Sequence, residues 1–157
     1  MRIGNGFDVH RFSEEEHRPL WLGLVEIPGA RGLQGHSDAD AVTHAIIDAL
    51  LGAVGEGDIG QHFPESDPSI RGISSREMLV HALRIVRDSG FRVVNVDVTV
   101  VAETPRLAPH RSDICQVLSE AIGAPVSLKA TTMEGLGSIG AREALAALAV
   151  CLVEEIS

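Results

Sequence analysis

Two histidines and an aspartate occur in this sequence at spacings that suit a metal site. Asp8 and His10 lie two positions apart in a segment typical of a strand, so their side chains point to the same side. His44 lies on a predicted helix, in line with Asp40 and Asp48 at four-residue steps. If His44 lies next to the strand end, these two imidazoles and one carboxylate complete three ligands for a metal ion. Taken separately, a polar strand end and a solvated helix face explain the same residues, so both interpretations stay open.

The predicted helix around His44 has a clear amphipathic pattern. Its apolar face is formed by residues at helical spacing, namely Val42, Ala45, Ile46, Ala49, Leu50 and Ala53. We expect Ser37 and Asp38 to cap the start of this helix. Residues 1–11 are predicted to form the opening strand, and residues 19–28, bounded by prolines, a short strand or an edge hairpin.

A loop and two further helices are predicted next. The segment 55–68 is rich in glycine, proline and acids and has no periodicity, which is typical of ligand-binding loops and of mobile surface segments alike. Ser74 and Glu77 form a capping-box pattern for the second helix, which Gly90 closes. A third helix is predicted over residues 114–122.

Two strands and one ambiguous segment complete the chain. Valines alternate with other residues over 91–101, which predicts a strand with one buried face, and residues 126–132 alternate likewise. The segment 143–156 is rich in alanine and leucine, so its propensity favours a helix. The same residues also suit a strand buried on both faces, and the pattern alone leaves that choice open.

The composition limits the class of protein. A chain of 157 residues is expected to form one domain, and 45% hydrophobic residues with only 3% aromatic ones indicate a core of small aliphatic side chains. That core suits helices packed closely on a sheet. The net charge of −9 and the lack of clustered lysine and arginine exclude nucleic acid as the main partner. An anionic ligand therefore needs metal ions or backbone donors.

The cysteines and the first residues bear on the compartment. Cys115 and Cys151 lie in apolar periodic segments without a CxxC pattern, so buried free thiols in a reducing compartment are expected. The opening residues lack the apolar run of a signal peptide, and no stretch has the length of a membrane span. We therefore expect a soluble, cytoplasmic protein.

Six motifs in order resemble one enzyme family. They are RIGxGFDVH at 2–10, HSDxDxxxHAxxDALLGA at 36–53, GDIGxxFP at 57–64, NVDVT at 95–99, PH at 109–110 and KATTxExLG at 129–137. Together they cover almost the whole chain. The sequence closely resembles the 2-C-methyl-D-erythritol 2,4-cyclodiphosphate synthase family of the non-mevalonate isoprenoid pathway.

The resemblance implies both a fold and a reaction. The fold is α/β (α+β), one catalytic domain over residues 1–157, with helices on one face of a mixed β-sheet and the segment 143–156 as a strand. It assembles as a homotrimer with active sites at subunit interfaces. The implied enzyme is a phosphorus–oxygen lyase, in which the 2-phosphate of 4-diphosphocytidyl-2-C-methyl-D-erythritol 2-phosphate attacks the β-phosphorus. CMP leaves and the cyclic diphosphate forms.

The resemblance also implies two metal ions. Asp8, His10 and His44 match the ligands of a zinc ion that acts as Lewis acid and template. Glu134 matches the carboxylate for a second cation, Mg²⁺ or Mn²⁺, which bridges the phosphates. Asp48 either orients a ligand histidine or is a plain surface carboxylate.

Further residues match the substrate-binding positions of the family. His36 and Thr132 match the pair that stabilises transition-state charge, and the start of the central helix adds its own attraction for anions. The segment 102–108 matches the cytidine pocket, and residues 58–67 match the loop that holds the methylerythritol hydroxyls. The expected substrate contacts are Asp8, His10, His36, Ser37, Asp58, Ile59, Gly60, Phe63, Asp67, Ala102, Arg106, Leu107, Ala108, Thr131, Thr132, Met133 and Glu134.

Three departures from the family pattern stand out. Arg106 replaces a common lysine of the cytidine-pocket loop, and Met133 stands where a third threonine is usual. Ser138 and Ala141 replace an aromatic residue and an arginine, while Arg142 follows one place later. These last changes bear on phosphate contacts and on isoprenoid-diphosphate binding at the trimer axis.

Two other functions stay open at this stage. A zinc-dependent phosphodiester hydrolase would use the open zinc position to activate water, but the sequence assigns no base beside that water. A non-catalytic trimeric module that binds metal or nucleotide would keep the scaffold without turnover, and the departures at Ser138 and Ala141 are compatible with it.

Overall fold

The computed structural model describes residues 1–64, 66–68 and 72–156. Residue 65 of the predicted loop and residue 157 of the predicted domain lie outside this range. The strands are β1 (Arg2–Arg11), β2 (Leu20–Leu22), β3 (Val25–Ile27), β4 (Phe91–Val101), β5 (Val126–Thr131) and β6 (Ala144–Glu155). The helices are α1 (Ala41–Val54), α2 (Ile59–His62), α3 (Ser75–Asp88), α4 (Arg111–Ile122) and α5 (Gly137–Gly140).

The main sheet is mixed and has the strand order β1-β6-β4-β5. β1 and β4 both run antiparallel to β6, and β5 runs parallel to β4. β1, β4 and β5 therefore run in one direction, and their carboxyl ends lie at the same edge of the sheet. The predicted single α+β domain with a mixed sheet is confirmed.

The ambiguous segment 143–156 forms β6, as the family resemblance implied against its helix propensity. It pairs along its length with β1 on one side and β4 on the other. Only one of its faces is buried within the chain, because Leu148 and Val150 are 44% and 48% exposed. Long-range pairing with two neighbours thus outweighs local propensity.

Helix α1 lies directly on β1 because two strand glycines leave room for it. A Cβ atom at Gly4 would lie 1.9 Å from the Ala49 carbonyl oxygen, and one at Gly6 would lie 1.9 Å from that of Ala45. Any larger residue would push the helix away. This close approach brings the His44 turn of α1 next to the end of β1.

The start and the surroundings of α1 differ from the prediction. The N-cap is Asp40, not Ser37 or Asp38, and its side chain accepts a hydrogen bond from the Thr43 backbone N–H at 3.0 Å. Of the two interpretations left open for this stripe, the solvated helix face does not hold, since Asp40 is fully buried and His44 is 7% exposed. β2 and β3 pair antiparallel as a hairpin. This hairpin, α3 and the sheet cover the helix on nearly all sides.

The carboxylate of Asp40 also joins the hairpin to α1. It accepts hydrogen bonds from the backbone N–H groups of Gly23 and Leu24 at 2.8 and 2.7 Å. A buried carboxylate with several donors is satisfied without water. This carboxylate already accepts a hydrogen bond from the first turn of α1 and places a negative charge there. The predicted attraction of this helix start for anions is therefore weaker.

The remaining elements follow the predictions with two additions. The opening strand, the hairpin, the capping box of Ser74 and Glu77, and the strands at 91–101 and 126–131 are confirmed. The predicted loop contains the one-turn helix α2, and α5 was not predicted. Cys115 and Cys151 are free thiols, as expected; Cys151 is buried, whereas Cys115 is only half-buried.

The helices cover one face of the main sheet, as predicted. On the opposite face, within the part of the chain that is described, apolar side chains are exposed, among them Ile3, Phe7, Val9, Leu148 and Val150. A search of the same residues found no helix with the length and hydropathy that crossing a membrane requires.

Candidate active site

The three predicted zinc ligands meet at the end of β1. Asp8 and His10 project from the face of β1 that α1 covers, and His44 comes from the first turns of α1. Asp8 Oδ2 lies 2.9 Å from His10 Nε2 and 3.2 Å from His44 Nδ1. One donor atom from each residue can be chosen so that all lie within 4.8 Å of one another. Residues 34 positions apart thus form a cluster compatible with a divalent metal.

A backbone carbonyl orients the ring of His10. Its Nδ1 lies 2.8 Å from the carbonyl oxygen of Gln34. A carbonyl oxygen can only accept, so Nδ1 carries the proton and Nε2 presents its lone pair to Asp8 in the neutral ring. This is the arrangement of a metal-binding imidazole.

The ring of His44 is held by hydroxyl groups on its other side. His44 Nε2 lies 3.0 Å from Ser75 Oγ and 3.4 Å from Ser37 Oγ. Ser75 itself is fixed by Asp38, which accepts from the Ser75 backbone N–H at 2.8 Å and also contacts its hydroxyl. Ser75 was not among the predicted residues, because the only pattern at this position is the capping box that begins one residue earlier, at Ser74.

The electrostatics of the cluster favour a cation. Burial opposes ionisation of Asp8, but the two histidine rings that face the carboxyl outweigh burial and hold its pKa below the usual range. Burial likewise disfavours the charged His10 ring, yet Asp8 raises its pKa. Asp8 Oδ2 is buried and receives no well-formed hydrogen bond. An orphaned buried oxygen facing two ring nitrogens fits an N, N, O metal site.

A cavity of about 500 Å³ opens beside the cluster. It brings together most predicted residues of the first half of the chain. Its lining includes Asp8, His10, His36, Ser37, His44, Ile59, Gly60, Phe63 and Asp67. Ile73 and Met78, near the start of α3, also line the cavity and were not predicted. The cavity is thus lined both by the polar groups of the metal cluster and by apolar side chains.

One arginine shapes the segment that carries His36 and Ser37. The guanidinium group of Arg18 donates to the carbonyl oxygens of Gly35 and Ser37 at 3.0 and 2.6 Å, and to that of Leu33. Because one planar guanidinium group binds all three carbonyl oxygens, it fixes the path of the backbone from Leu33 to Ser37. Arg18 was not among the predicted residues.

Helix α2 is held by two carboxylates. Asp58 caps it, accepting from the Gln61 backbone N–H at 3.0 Å, and Asp48 on α1 accepts from that of Ile59 at 2.8 Å. Burial raises the pKa of Asp48. Asp48 therefore holds α2 and does not orient His44, since the hydrogen-bond partners of the His44 Nε2 atom are the hydroxyl groups of Ser75 and Ser37.

The other predicted residues form a second group at the carboxyl ends of β4 and β5. The Ala102 backbone N–H donates to the Thr131 carbonyl oxygen at 3.0 Å. The Glu103 carboxylate accepts from the backbone N–H groups of Met133 and Gly135 at 2.9 and 3.4 Å. This group comprises Ala102, Arg106, Leu107, Ala108, Thr131, Thr132, Met133 and Glu134, and none of them lines the cavity beside the metal cluster.

The two groups are separated by the width of the sheet. β1 and β5 are its outer strands, three strand spacings apart, which is about 14 Å. Glu134 is exposed at the end of β5. Within one chain, the metal cluster and Glu134 therefore lie at opposite sides of the same sheet edge.

The third departure from the family pattern lies around α5. Ser138 is in α5 and Ala141 is its C-cap. Arg142 has a φ of 63° and lines a second cavity of about 360 Å³ together with Arg31 and His110. The arginine that follows one place late therefore adopts a left-handed conformation that glycine favours.

A comparison with known families decides the assignment. The YgbB family model matches residues 1–154. The chain belongs to the YgbB family. The resemblance to 2-C-methyl-D-erythritol 2,4-cyclodiphosphate synthases is confirmed by curated YgbB relatives of that name.

Two relatives and one solved structure show how far the similarity extends. The 2-C-methyl-D-erythritol 2,4-cyclodiphosphate synthase of Gloeobacter violaceus is 56% identical over 158 residues, covering 99% of this chain and 96% of the relative. The bifunctional enzyme IspD/IspF of Novosphingobium aromaticivorans is 51% identical, and the match covers 97% of this chain but only 40% of that enzyme. A CDP-bound structure of 2C-methyl-D-erythritol-2,4-cyclodiphosphate synthase matches with a TM-score of 0.88 and 40% identity, covering 98% of this chain and 100% of the other.

Proposed function

We propose that this YgbB protein converts 4-diphosphocytidyl-2-C-methyl-D-erythritol 2-phosphate into 2-C-methyl-D-erythritol 2,4-cyclodiphosphate, with release of CMP. It is then a phosphorus–oxygen lyase of the non-mevalonate isoprenoid pathway, with one catalytic domain over residues 1–157 and a cytoplasmic location. The names of its full-length relatives support this activity. The observation that carries it is the convergence of Asp8, His10 and His44 at a cavity large enough for a phosphorylated sugar alcohol.

The reaction is an intramolecular phosphoryl transfer. An oxygen of the 2-phosphate forms a bond to the β-phosphorus, and the bond from that phosphorus to the bridging oxygen of CMP breaks with its electron pair. The protein must hold the two phosphates in line and neutralise their negative charge. A chain of net charge −9 needs bound cations to do so.

The residues present suit two cations. Asp8, His10 through Nε2 and His44 through Nδ1 would hold zinc, and Glu134 would hold Mg²⁺ or Mn²⁺. When bound, these ions polarise the phosphate oxygens and stabilise the charge on the departing CMP. With Nδ1 of His10 and Nε2 of His44 engaged by the Gln34 carbonyl and the Ser75 hydroxyl, the other ring nitrogen of each histidine faces the cluster.

Other side chains of the chain would bind and orient the substrate. His36 and Ser37 border the cavity next to the metal cluster, on the backbone segment that Arg18 fixes. We assign His36 to stabilising transition-state charge. Ile59 and Gly60 of α2, with Phe63 and Asp67, line the part of the cavity suited to the methylerythritol group. Asp58 supports them from the α2 cap and offers an acceptor for a diol.

We further propose a homotrimer whose active sites lie between subunits. In each site, the metal cluster of one subunit faces the second group of a neighbour, in which residues 102–108 bind cytidine and Thr132 and Glu134 bind the phosphates and the second cation. The distance of about 14 Å between β1 and β5 supports this, because one chain alone keeps the groups apart. The exposed apolar sheet face supplies a surface for association.

Product analysis tests the proposed reaction. The purified protein, loaded with zinc and Mg²⁺, is incubated with the diphosphocytidyl substrate, and the products are separated by chromatography and identified by ³¹P NMR. We expect cyclic diphosphate and CMP in equal amounts. Linear diphosphates or CDP would indicate the hydrolase, and zinc binding without turnover would indicate the non-catalytic module.

A further inference from the structure

We propose that Ser75, held by Asp38, is a positioning residue that fixes the tautomer of His44 and thereby presents Nδ1 to the metal site. This inference rests on the metal role proposed for His44. It assigns a task to a buried hydroxyl and a carboxylate that the proposed reaction does not otherwise use.

The three groups form a chain of short contacts between α3 and α1. Ser75 is the first residue of α3 and is fully buried. Its backbone N–H donates to Asp38 Oδ2 at 2.8 Å, and its hydroxyl touches Asp38 Oδ1. The same hydroxyl oxygen lies 3.0 Å from His44 Nε2. The Ser75 hydroxyl is thus placed between a carboxylate and an imidazole.

The number of protons decides the direction of each hydrogen bond. A carboxylate only accepts, and a serine hydroxyl has one proton to give, so Ser75 donates to Asp38. Its oxygen then accepts from His44 Nε2, which must carry the ring proton. His44 Nδ1 is left with its lone pair, and it faces Asp8 Oδ2 at 3.2 Å.

The opposite tautomer would be incompatible with the metal site. If Ser75 donated to His44, Nε2 would hold the lone pair and the Nδ1 proton would point at Asp8. A cation could not then bind Nδ1. His10 has a parallel arrangement with swapped nitrogens, because the Gln34 carbonyl fixes the proton on Nδ1. Both rings are therefore set before any ligand binds.

Two variants change this hydrogen-bond chain in different ways. Ser75→Ala removes the nearer acceptor for Nε2–H, at 3.0 Å, and leaves the Ser37 hydroxyl oxygen at 3.4 Å. Asp38→Asn keeps the shape of the side chain but allows its amide to donate to Ser75, which frees the serine proton for His44. Zinc affinity, measured by competition with a chromophoric chelator, is expected to fall about 10- to 100-fold in each variant. Asp38→Asn also covers the case in which Ser75→Ala fails to fold.

A spectroscopic measurement reports the tautomer directly, without metal. In the metal-free protein at a pH where His44 is neutral, ¹⁵N NMR of the imidazole nitrogens is expected to show the proton of His44 on Nε2. Both variants should move the population toward the Nδ1-protonated form. A purely structural role of Ser75 would leave this ratio unchanged, and that result would overturn the inference.

A neighbouring serine provides the matched control. Ser74→Ala removes a hydroxyl from the same helix start, but its partner is Glu77 and not His44. We expect Ser74→Ala to keep wild-type zinc affinity and the wild-type tautomer. Equal loss of zinc affinity in the Ser74 and Ser75 variants, or no loss in Ser75→Ala, would overturn the inference. Failure of the wild-type protein to bind zinc would instead contradict the proposed function, and the NMR measurement would still decide the tautomer.

Discussion

At the scale of the residue, the site is a set of acceptors directed at one point. Asp8 offers a buried carboxylate oxygen, and His10 and His44 each offer a bare ring nitrogen because their other nitrogens donate elsewhere. Three acceptors so close repel one another unless a proton or a metal ion lies between them. Binding of a cation therefore displaces protons from the cluster. Replacing one of the three metal ligands and changing the pH should both alter cation binding.

Replacing one ligand tests the metal assignment. His44→Ala is expected to reduce zinc content to below about a tenth of the wild-type level and to abolish turnover, because two ligands do not hold zinc tightly. The oligomeric state should persist, since His44 is far from the exposed sheet face. Metal analysis, product assay and light scattering measure the three quantities. His17→Ala, which removes an exposed histidine, is the control; wild-type activity in His44→Ala would remove the metal assignment.

The pH dependence of the metal-free protein has a defined sign. Asp8 has a lowered pKa in the fold, so its contribution to stability is present above its unfolded value of 3.8 and is lost as pH falls through the folded value. His10 has a raised pKa, so its contribution is present below its unfolded value of 6.5 and is lost as pH rises through the folded value. Both contributions to stability are therefore fully present only between pH 3.8 and pH 6.5.

Thermal unfolding of the metal-free protein checks this sign. The difference in Tm between wild type and Asp8→Asn should be largest in the window between pH 3.8 and 6.5 and should shrink at higher pH. Zinc should reverse the trend above that window, because neutral histidines bind it better as pH rises. A difference in Tm that grows steadily with pH in the metal-free protein would contradict this account of the pair.

At the scale of the element, the site depends on how closely α1 lies on β1. Gly4 and Gly6 allow helix backbone and strand backbone to touch, and this places the His44 turn over the end of the strand. Asp40 then attaches the start of α1 to the hairpin, and Asp48 attaches α2 to the middle of α1. The attachment of α2 places Ile59 and Gly60 in the lining of the cavity beside the metal cluster.

A glycine variant tests this seating of the helix. Gly6→Ala places a Cβ atom 1.9 Å from the Ala45 carbonyl oxygen, so α1 must shift. We expect a loss of about 1–3 kcal/mol in the free energy of unfolding, together with weaker zinc binding. Gly52→Ala is the matched control, because its Cβ has no neighbour nearer than 4.0 Å, and it should stabilise by about 0.5–1 kcal/mol. Unchanged stability and zinc affinity in Gly6→Ala would contradict the close contact.

The sequence predicted local features well and tertiary partners poorly. Alternation placed Asp8 and His10 on one side of a strand, and helical spacing placed His44 on α1. It could not show that Asp40 is the buried cap, because its partners Gly23 and Leu24 are brought there by the hairpin. Nor could it show Ser75, whose contact with His44 joins residues 31 positions apart. Family resemblance, not propensity, gave the strand at 143–156, since pairing on both sides decides its conformation.

At the scale of the whole molecule, one chain contains both halves of the proposed site, but at opposite ends of one sheet edge, next to the outer strands β1 and β5. The metal cluster belongs to β1 and α1, and Glu134 follows β5. The exposed apolar face between them, with Phe7, Leu148 and Val150, is suited to contact with further copies. In a cyclic trimer, each interface would join one half from each of two subunits.

Mixed trimers test the central claim most directly. His44→Ala removes one half of the site and Glu134→Gln the other, so each variant alone should be inactive. When differently tagged subunits are combined and exchange is verified by mass spectrometry, every mixed ring contains one interface with both halves intact. Equal mixing should therefore restore about a quarter of wild-type activity in the product assay. If verified mixed trimers remain as inactive as the separate variants, the two halves do not meet across an interface and the proposed active site is wrong.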